Sequence, residues 1–287
     1  MNKQAQEKTS TEGALPSTRP VAWTVAGFDP SAGAGVTADL KVFAAYGLYG
    51  MACITALTVQ STLGVRRVEP IAAETVGETL VCLREDVAPA GVKIGMLATA
   101  VVVGEVAAFL AERGIDRRRV VLDPVLRSSS GRELLSADGV ARLRGELLGR
   151  VGWITPNLDE LGVIVESGPL GREAVPTAAA RLQELARRVG NPELHVVVTG
   201  GDFDRPDDFL RTPDGNELWL PGERVETSST HGTGCAFSSA LLCELIKGAA
   251  PAEAAAGAKA YVTEALRSAY TVGQGKGPMH HLFRLDS

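Results

Sequence analysis

The sequence predicts an α/β fold: a mostly parallel sheet with helices on both faces. Three observations carry that expectation. Short apolar runs rich in β-branched residues alternate with segments that are apolar at helical spacing, glycines and polar residues collect just after the runs, and no change of composition divides the chain. With 287 residues, 45% of them hydrophobic and 22% charged, the chain can bury one substantial core and shows neither a disordered nor a fibrous composition.

The first stretch, residues 1–20, is polar and lacks the apolar centre of a signal peptide; a mobile tail is expected there, ahead of one domain spanning 21–287. Residues 21–26 read as a buried strand and 28–35 as a small-residue loop, after which Val36, Leu40, Phe43 and Ala44 mark one side of a helix reaching Tyr46. A second strand at 49–59 ends at Gln60-Ser61-Thr62, and a helix is expected at 73–87. A strand at 92–94 stops at Gly95-Met96-Leu97; a helix at 101–112 then leads to a strand at 120–123 and a loop through Gly131. A helix at 136–148 precedes Trp153-Ile154 and the turn Thr155-Pro156-Asn157, and a helix at 177–189 precedes a strand at 194–199 that ends on Gly200-Gly201. Phe209-Leu210 and Leu218-Trp219-Leu220 flank Thr212-Pro213-Asp214-Gly215; Asp-Gly favours a tight turn, so a hairpin is expected at an antiparallel edge. Helices at 236–247 and 251–270 complete the domain.

The formal net charge of −5 argues against a nucleic-acid-binding surface, and no apolar run approaches the ~20 residues of a membrane span. Cys53, Cys82, Cys235 and Cys243 form no metal-binding spacing. The first, second and fourth read as small core residues, and this usage fits a reducing cytoplasm.

The stretch Ser229-Thr230-His231-Gly232-Thr233-Gly234-Cys235 runs into a helical pattern. Glycines allow a close backbone approach, and the N–H groups of a first helical turn suit a phosphate. Cys235 would sit at the electropositive end, where a lowered pKa would make it a base or a nucleophile. The residues that follow the other strands include Gly27, Asp29, Gln60, Met96, Asp123, Asn157, Glu160, Thr199 and Gly201, and a parallel sheet would bring them to one rim. The chemistry suggested is phosphoryl transfer, with Asp123 and Glu160 as the acids for Mg²⁺. Each has a structural alternative: Asp123-Pro124 as a plain turn, and Asn157 through Glu160 as an ordinary helix start. No Gly-x-x-x-x-Gly-Lys-Ser/Thr is present, so a P-loop is excluded.

The motifs Ala26-Gly27-Phe28-Asp29-Pro30-Ser31-Ala32-Gly33-Ala34-Gly35, Ile54-Thr55-Ala56-Leu57-Thr58-Val59-Gln60, Lys93-Ile94-Gly95-Met96-Leu97, Asp123-Pro124-Val125, Thr155-Pro156-Asn157, His231-Gly232-Thr233-Gly234-Cys235 and Gly277-Pro278-Met279-His280-His281 occur in order. Together they resemble the hydroxymethylpyrimidine/phosphomethylpyrimidine kinases of thiamine biosynthesis, over residues 21–284. The resemblance implies a ribokinase-like three-layer sandwich that transfers the ATP γ-phosphate to 4-amino-5-hydroxymethyl-2-methylpyrimidine and then to its monophosphate. It implies that Gln60 holds the pyrimidine, its carboxamide offering a donor and an acceptor together, with Gly27, Ala34, Asp39, Met96 and Val125 shaping the pocket. It makes Cys235 the acceptor of the hydroxymethyl proton, with N–H groups of Gly232, Thr233 and Gly234 stabilising the transferring phosphoryl group. Asp123, Asn157, Thr199, Gly201 and Thr233 would bind nucleotide, Asp123 and Glu160 would serve the metal, and a homodimer is expected.

The chain departs from that family's pattern at Ser129, where lysine is common, at Asp202, where Gly-Gly-His is usual, and at Ala32, where glycine is usual. Rival readings are a pyridoxal or pyridoxine kinase, a pyrimidine-binding protein without catalysis, and a thiol hydrolase using Cys235 with His231 as base. The hydrolase lacks an evident orienting partner for the histidine. His280 and His281 form no metal pattern and read as a terminal structural element.

Overall fold

A computed structural model describes residues 19–286 apart from positions 113, 129 and 202. The expected tail, Ser129 and Asp202 therefore fall outside the described residues, except that Pro20 is tied in by the N–H of Tyr49, which donates to its carbonyl at 3.0 Å.

The chain runs β1 (Val21–Phe28), α1 (Gly35–Ala45), β2 (Tyr49–Ser61), β3 (Gly64–Pro70), α2 (Ala73–Asp86), β4 (Gly91–Ile94), α3 (Ala100–Glu112), β5 (Val120–Leu122) and α4 (Ala137–Gly145). It continues with β6 (Trp153–Ile154), α5 (Leu158–Ile164), α6 (Val175–Arg188), β7 (His195–Val198), β8 (Asp208–Arg211), β9 (Glu217–Leu220), α7 (Thr233–Ile246) and α8 (Pro251–Arg267). The strands form one sheet in the order β3-β2-β1-β4-β5-β6-β7-β8-β9. Strands β2 through β7 in that order are parallel, whereas β3 at one edge and β8 and β9 at the other are antiparallel.

Side chains alternate between two cores. Trp23, Val25, Leu122 and Val198 pack under α2 to α6, whereas Ala22, Val121 and Val197 pack under α1, α7 and α8. Because both faces are covered, the central strands are apolar at most positions and read as continuous runs, with Thr24 and Lys93 as buried exceptions. Strand order reverses between β1 and β4, which places a crevice beyond their carboxyl ends.

The alternation, the edge hairpin and the helix positions agree with expectation; β3 was not expected. Its charged residues Arg66, Arg67 and Glu69 lie exposed on an outer strand, so the segment carries little of the apolar signal that marks the interior. Strand β2 continues to Ser61, two positions past the expected end, because pairing with β3 extends it. Cys82 is exposed rather than a core residue, whereas Cys53 and Cys243 are buried. Among the described residues no helix is long and apolar enough to cross a membrane.

Candidate active site

The loop after β1 is folded around one carboxylate. Asp29 accepts from the N–H and hydroxyl of Ser31 at 2.8 and 2.7 Å, from the N–H of Gly33 at 3.2 Å and from that of Ala34 at 2.9 Å. Burial alone would raise its pKa, but hydrogen bonds from His231 and Ser31 outweigh it and hold the carboxyl below its ordinary range. Gly35 opens α1 at φ +58°, and a Cβ there would lie 2.2 Å from the carbonyl oxygen of Gly27. Ala32 also adopts φ +58°, its carbonyl held at 2.7 Å by the ammonium of Lys41. The family's usual glycine is the residue that this conformation favours.

A second glycine-rich turn packs against the first. Gly232 caps α7 at φ +85°, and a Cβ on it would fall 1.8 Å from the carbonyl oxygen of Gly33. No side chain caps this helix, so the N–H groups of Thr233, Gly234 and Cys235 open onto the cleft as an anion site. Beneath the turn the expected thiolate is overturned. Burial pushes the Cys235 thiol up to about 12; nearby Lys93 opposes this, while Asp123 and Asp39 add to it. The resting residue is therefore a thiol, because desolvation and two carboxylates outweigh the helix terminus.

Asp39 does not reach the pyrimidine pocket. It lies on the sheet-facing side of α1 with no exposed surface, accepting hydrogen bonds from Thr24 and, at 2.8 Å, from Ser239. Its carboxylate holds the Lys93 ammonium, which is itself wholly buried and lies 4.0 Å from Asp123. Burial would lower the Lys93 pKa, but the charge of Asp39 outweighs it and raises it. Lys93 carries no role in the sequence-based expectation beyond a strand and a motif, although a lysine between Val92 and Ile94 is itself a signal of a buried charge pair.

Asp123 and Glu160 both line the cleft. The helix-start alternative also holds, since Asn157 and Glu160 form a capping box with bonds of 2.8 and 3.0 Å. The Asp123 pKa is raised by burial and by Asp39 against the pull of Lys93, and that of Glu160 is pushed up to about 8 by burial and then by Asp123. Two carboxyl groups that resist ionising together suit a divalent cation, whose charge would relieve both. No group of three metal-ligating side chains occurs among the described residues, so a bound Mg²⁺ would complete its shell with water and phosphate oxygens.

These features share a cleft of about 1070 Å³. At one end Gly27, Ala34, Gln60, Met96 and Val125 come together, as expected for a flat heterocycle. Met96 forms an apolar wall with Ala56 and Leu134, and a Cβ on Gly27 would press its sulfur at 3.0 Å. Thr199, Asn157 and Gly201 line the opposite part, together with Val262 and Leu266 of α8, which sequence reading had taken only as helix. Arg127, Lys259 and Lys276 add positive charge, Lys259 being paired at 2.9 Å with Asp208.

His231 points away from the hydrolase reading. Its Nε2 lies 2.8 Å from Asp29 and 3.1 Å from the Gln60 carboxamide, so it has the carboxylate partner that the sequence did not reveal, but in the service of the substrate wall. His281 is buried, its pKa lowered to about 4 by desolvation first, and His280 stands edge-on to Tyr270 beside Asp286.

The phosphomethylpyrimidine kinase family model matches residues 29–280. The hydroxymethylpyrimidine/phosphomethylpyrimidine kinase of Rhizobium meliloti is 39% identical over 267 residues, covering 92% of this chain and 97% of the relative. That of Escherichia coli is 40% identical over 264 residues, covering 91% and 96%. Among solved structures, an ADP complex of Bacillus subtilis pyridoxal kinase superposes with a TM-score of 0.82 at 31% identity, covering 92% of this chain and 98% of that one. Phosphomethylpyrimidine kinase from Clostridium difficile gives 0.74 at 31% identity, covering 86% and 100%. The order of the motifs, the three-layer architecture and these likenesses agree, and the chain belongs to the phosphomethylpyrimidine kinase family of ribokinase-like phosphotransferases.

Proposed function

We propose that the protein transfers the γ-phosphoryl group of ATP to the hydroxymethyl group of 4-amino-5-hydroxymethyl-2-methylpyrimidine and then to the resulting monophosphate, for thiamine biosynthesis. The observation that carries this reading is that the Gln60 carboxamide and the uncapped first turn of α7 open into one cleft. Gln60 and Met96 hold the ring, and the N–H groups of Thr233 and Gly234 stabilise charge on the phosphoryl group. Thr199, Asn157 and Gly201 hold the nucleotide. Asp123 and Glu160 would hold Mg²⁺, which would supply charge neutralisation for the phosphate oxygens. Cys235 takes the hydroxymethyl proton, the nearby Lys93 ammonium favouring its ionised form. Because phosphoryl transfer has a loose transition state, positioning by the glycine turns carries much of the acceleration.

Exposed Leu57, Val59 and Leu63 on and beyond β2, beside the edge strand β3, make this part of the sheet the face for a second copy of the chain, and light scattering would test the homodimer. ADP release measured with the pyrimidine, its monophosphate and pyridoxal tests the function. Turnover of the first two supports it, and binding of the pyrimidine with no ADP release refutes it. A second reading, phosphorylation of pyridoxal, rests on the likeness to the Bacillus subtilis and Staphylococcus aureus pyridoxal kinases, each with a TM-score of 0.82. Gln60 favours the pyrimidine, whose amino group and ring nitrogen match both halves of a carboxamide.

A further inference from the structure

The orientation of the Gln60 carboxamide follows from its neighbours. Every other group that Asp29 contacts at hydrogen-bond distance is a donor: the N–H and O–H of Ser31 and the N–H groups of Gly33 and Ala34. Asp29 is thus an ionised acceptor, and Nε2 of His231, 2.8 Å from its Oδ2, must carry a proton in either charge state of the imidazole. The ring is held in place to do so. It packs on Gly33, where a Cβ would sit 2.4 Å from the ring carbon, while the His231 backbone is bridged to Pro278 and its N–H donates to the Gly277 carbonyl at 3.0 Å.

With the amide nitrogen of Gln60 toward His231, 3.1 Å away, two donors would face each other. The Thr58 hydroxyl would meanwhile owe its single proton both to the Phe28 carbonyl at 3.0 Å and to the Gln60 carbonyl at 3.2 Å. Turning the carboxamide by half a rotation removes both conflicts. Its oxygen then faces the Nε2–H that His231 gives chiefly to Asp29 and takes a weaker share of it, its nitrogen donates to Thr58, and the Thr58 proton goes to Phe28.

We infer that the Asp29–His231 pair locks the Gln60 carboxamide with its oxygen beside His231 and its nitrogen beside Thr58, and so fixes the orientation in which a heterocyclic edge is read. One lone pair of the oxygen and one N–H of the nitrogen remain for the ligand. The donor of an amino-substituted azine must then lie on the His231 side and its ring-nitrogen acceptor on the Thr58 side. His231 acts here as a positioning residue, and the inference rests on the pyrimidine-kinase reading only for the identity of that ligand.

Nuclear Overhauser spectroscopy of the ligand-free protein, deuterated except at threonine methyls and histidine rings and with the Gln60 amide assigned through the Gln60→Ala variant, tests the orientation without any substrate. Contacts from the Gln60 NH₂ to the Thr58 methyl are expected; contacts to the His231 ring protons in their place overturn the inference. Kinetics test the consequence. Once Gln60→Ala has been shown to raise KM for the pyrimidine, His231→Ala should raise it about tenfold with little change in kcat, the double variant should be no worse than Gln60→Ala alone, and His231→Gln, which restores a donor, should recover most of the loss. Additive effects, or a fall in kcat at constant KM, overturn it. An unchanged KM in Gln60→Ala would sink the substrate assignment and leave the measured orientation standing.

Discussion

The ammonium of Lys93 lies 3.0 Å from each carboxylate oxygen of Asp39, and neither side chain has any solvent exposure. The pair joins β4 to α1 directly beneath the turn that carries Cys235, and its second face looks onto Asp123.

Breaking that pair from one side should be costly. Lys93→Met or Asp39→Ala leaves an uncompensated buried charge and should lower unfolding free energy by about 3–5 kcal/mol, read by urea denaturation. The double variant Lys93→Met with Asp39→Leu should recover much of the loss. Equal, additive losses would mean that the charges are not coupled.

The pKa of Glu160 gives a pH dependence with a definite sign. Folding raises it from 4.5 to about 8, so the folded state binds the proton more tightly. Its contribution is full below the unfolded value and is lost as pH rises through about 8. Without metal, Glu160→Gln should match the parent near the low end of that window and exceed it in thermal midpoint at the high end. Magnesium should raise the parent's midpoint at the high end and raise the variant's less.

Cys235→Ala should reduce kcat by about 10²–10⁴-fold with little change in KM for the pyrimidine. Since the thiol is pushed up to about 12, iodoacetamide should modify Cys235 slowly at neutral pH, after the exposed Cys82. Fast modification at Cys235, followed by mass spectrometry, would contradict the neutral-thiol assignment.

Ala32→Gly should leave the fold intact and stabilise it by up to ~1 kcal/mol, because relief of the left-handed alanine exceeds the entropy cost of glycine. Gly232→Ala should do the opposite and disrupt both loops, since its Cβ would fall 1.8 Å from a backbone oxygen that cannot swing away. Calorimetry of the two variants distinguishes them.

Arg127 and Lys276 line the cleft with no carboxylate partner among the described residues, unlike Lys259. Arg127→Ala and Lys276→Ala should each raise KM for the phosphorylated acceptor about tenfold, with a weaker effect on the unphosphorylated one and a steeper response at low salt. Equal effects on both acceptors would assign these cations to the nucleotide.

The parallel sheet was legible because Val-rich strands buried on two faces leave an unbroken apolar run, as at Val196 to Val198. Strand β3 was not, since an edge needs no such run. In the site, Gln60, Met96 and the Gly232 turn were legible from chain position alone, because strand ends converge in a parallel sheet. Asp39 was misplaced because a motif records that a residue matters without recording which side of a helix it occupies. The protonation of Cys235 was misjudged for a related reason: the helix terminus is visible in sequence, whereas the carboxylates that oppose it, Asp39 on α1 and Asp123 after β5, come from elements distant along the chain. The same applies to the Asp29–His231 contact, whose partners are 202 positions apart.

That separation bears on how the protein comes into being. The loop of residues 29–35 leaves the ribosome early, but the carbonyl of Gly33 that fits Gly232 and the carboxylate that holds His231 meet their counterparts only once the last quarter of the chain is being made. A nascent chain can therefore assemble all its parallel strands and still have no phosphate cradle. The backbone of His231 is held in turn by Gly277 and Pro278, so a chain cut short of those residues would lack the contact that seats His231 against the Asp29 loop.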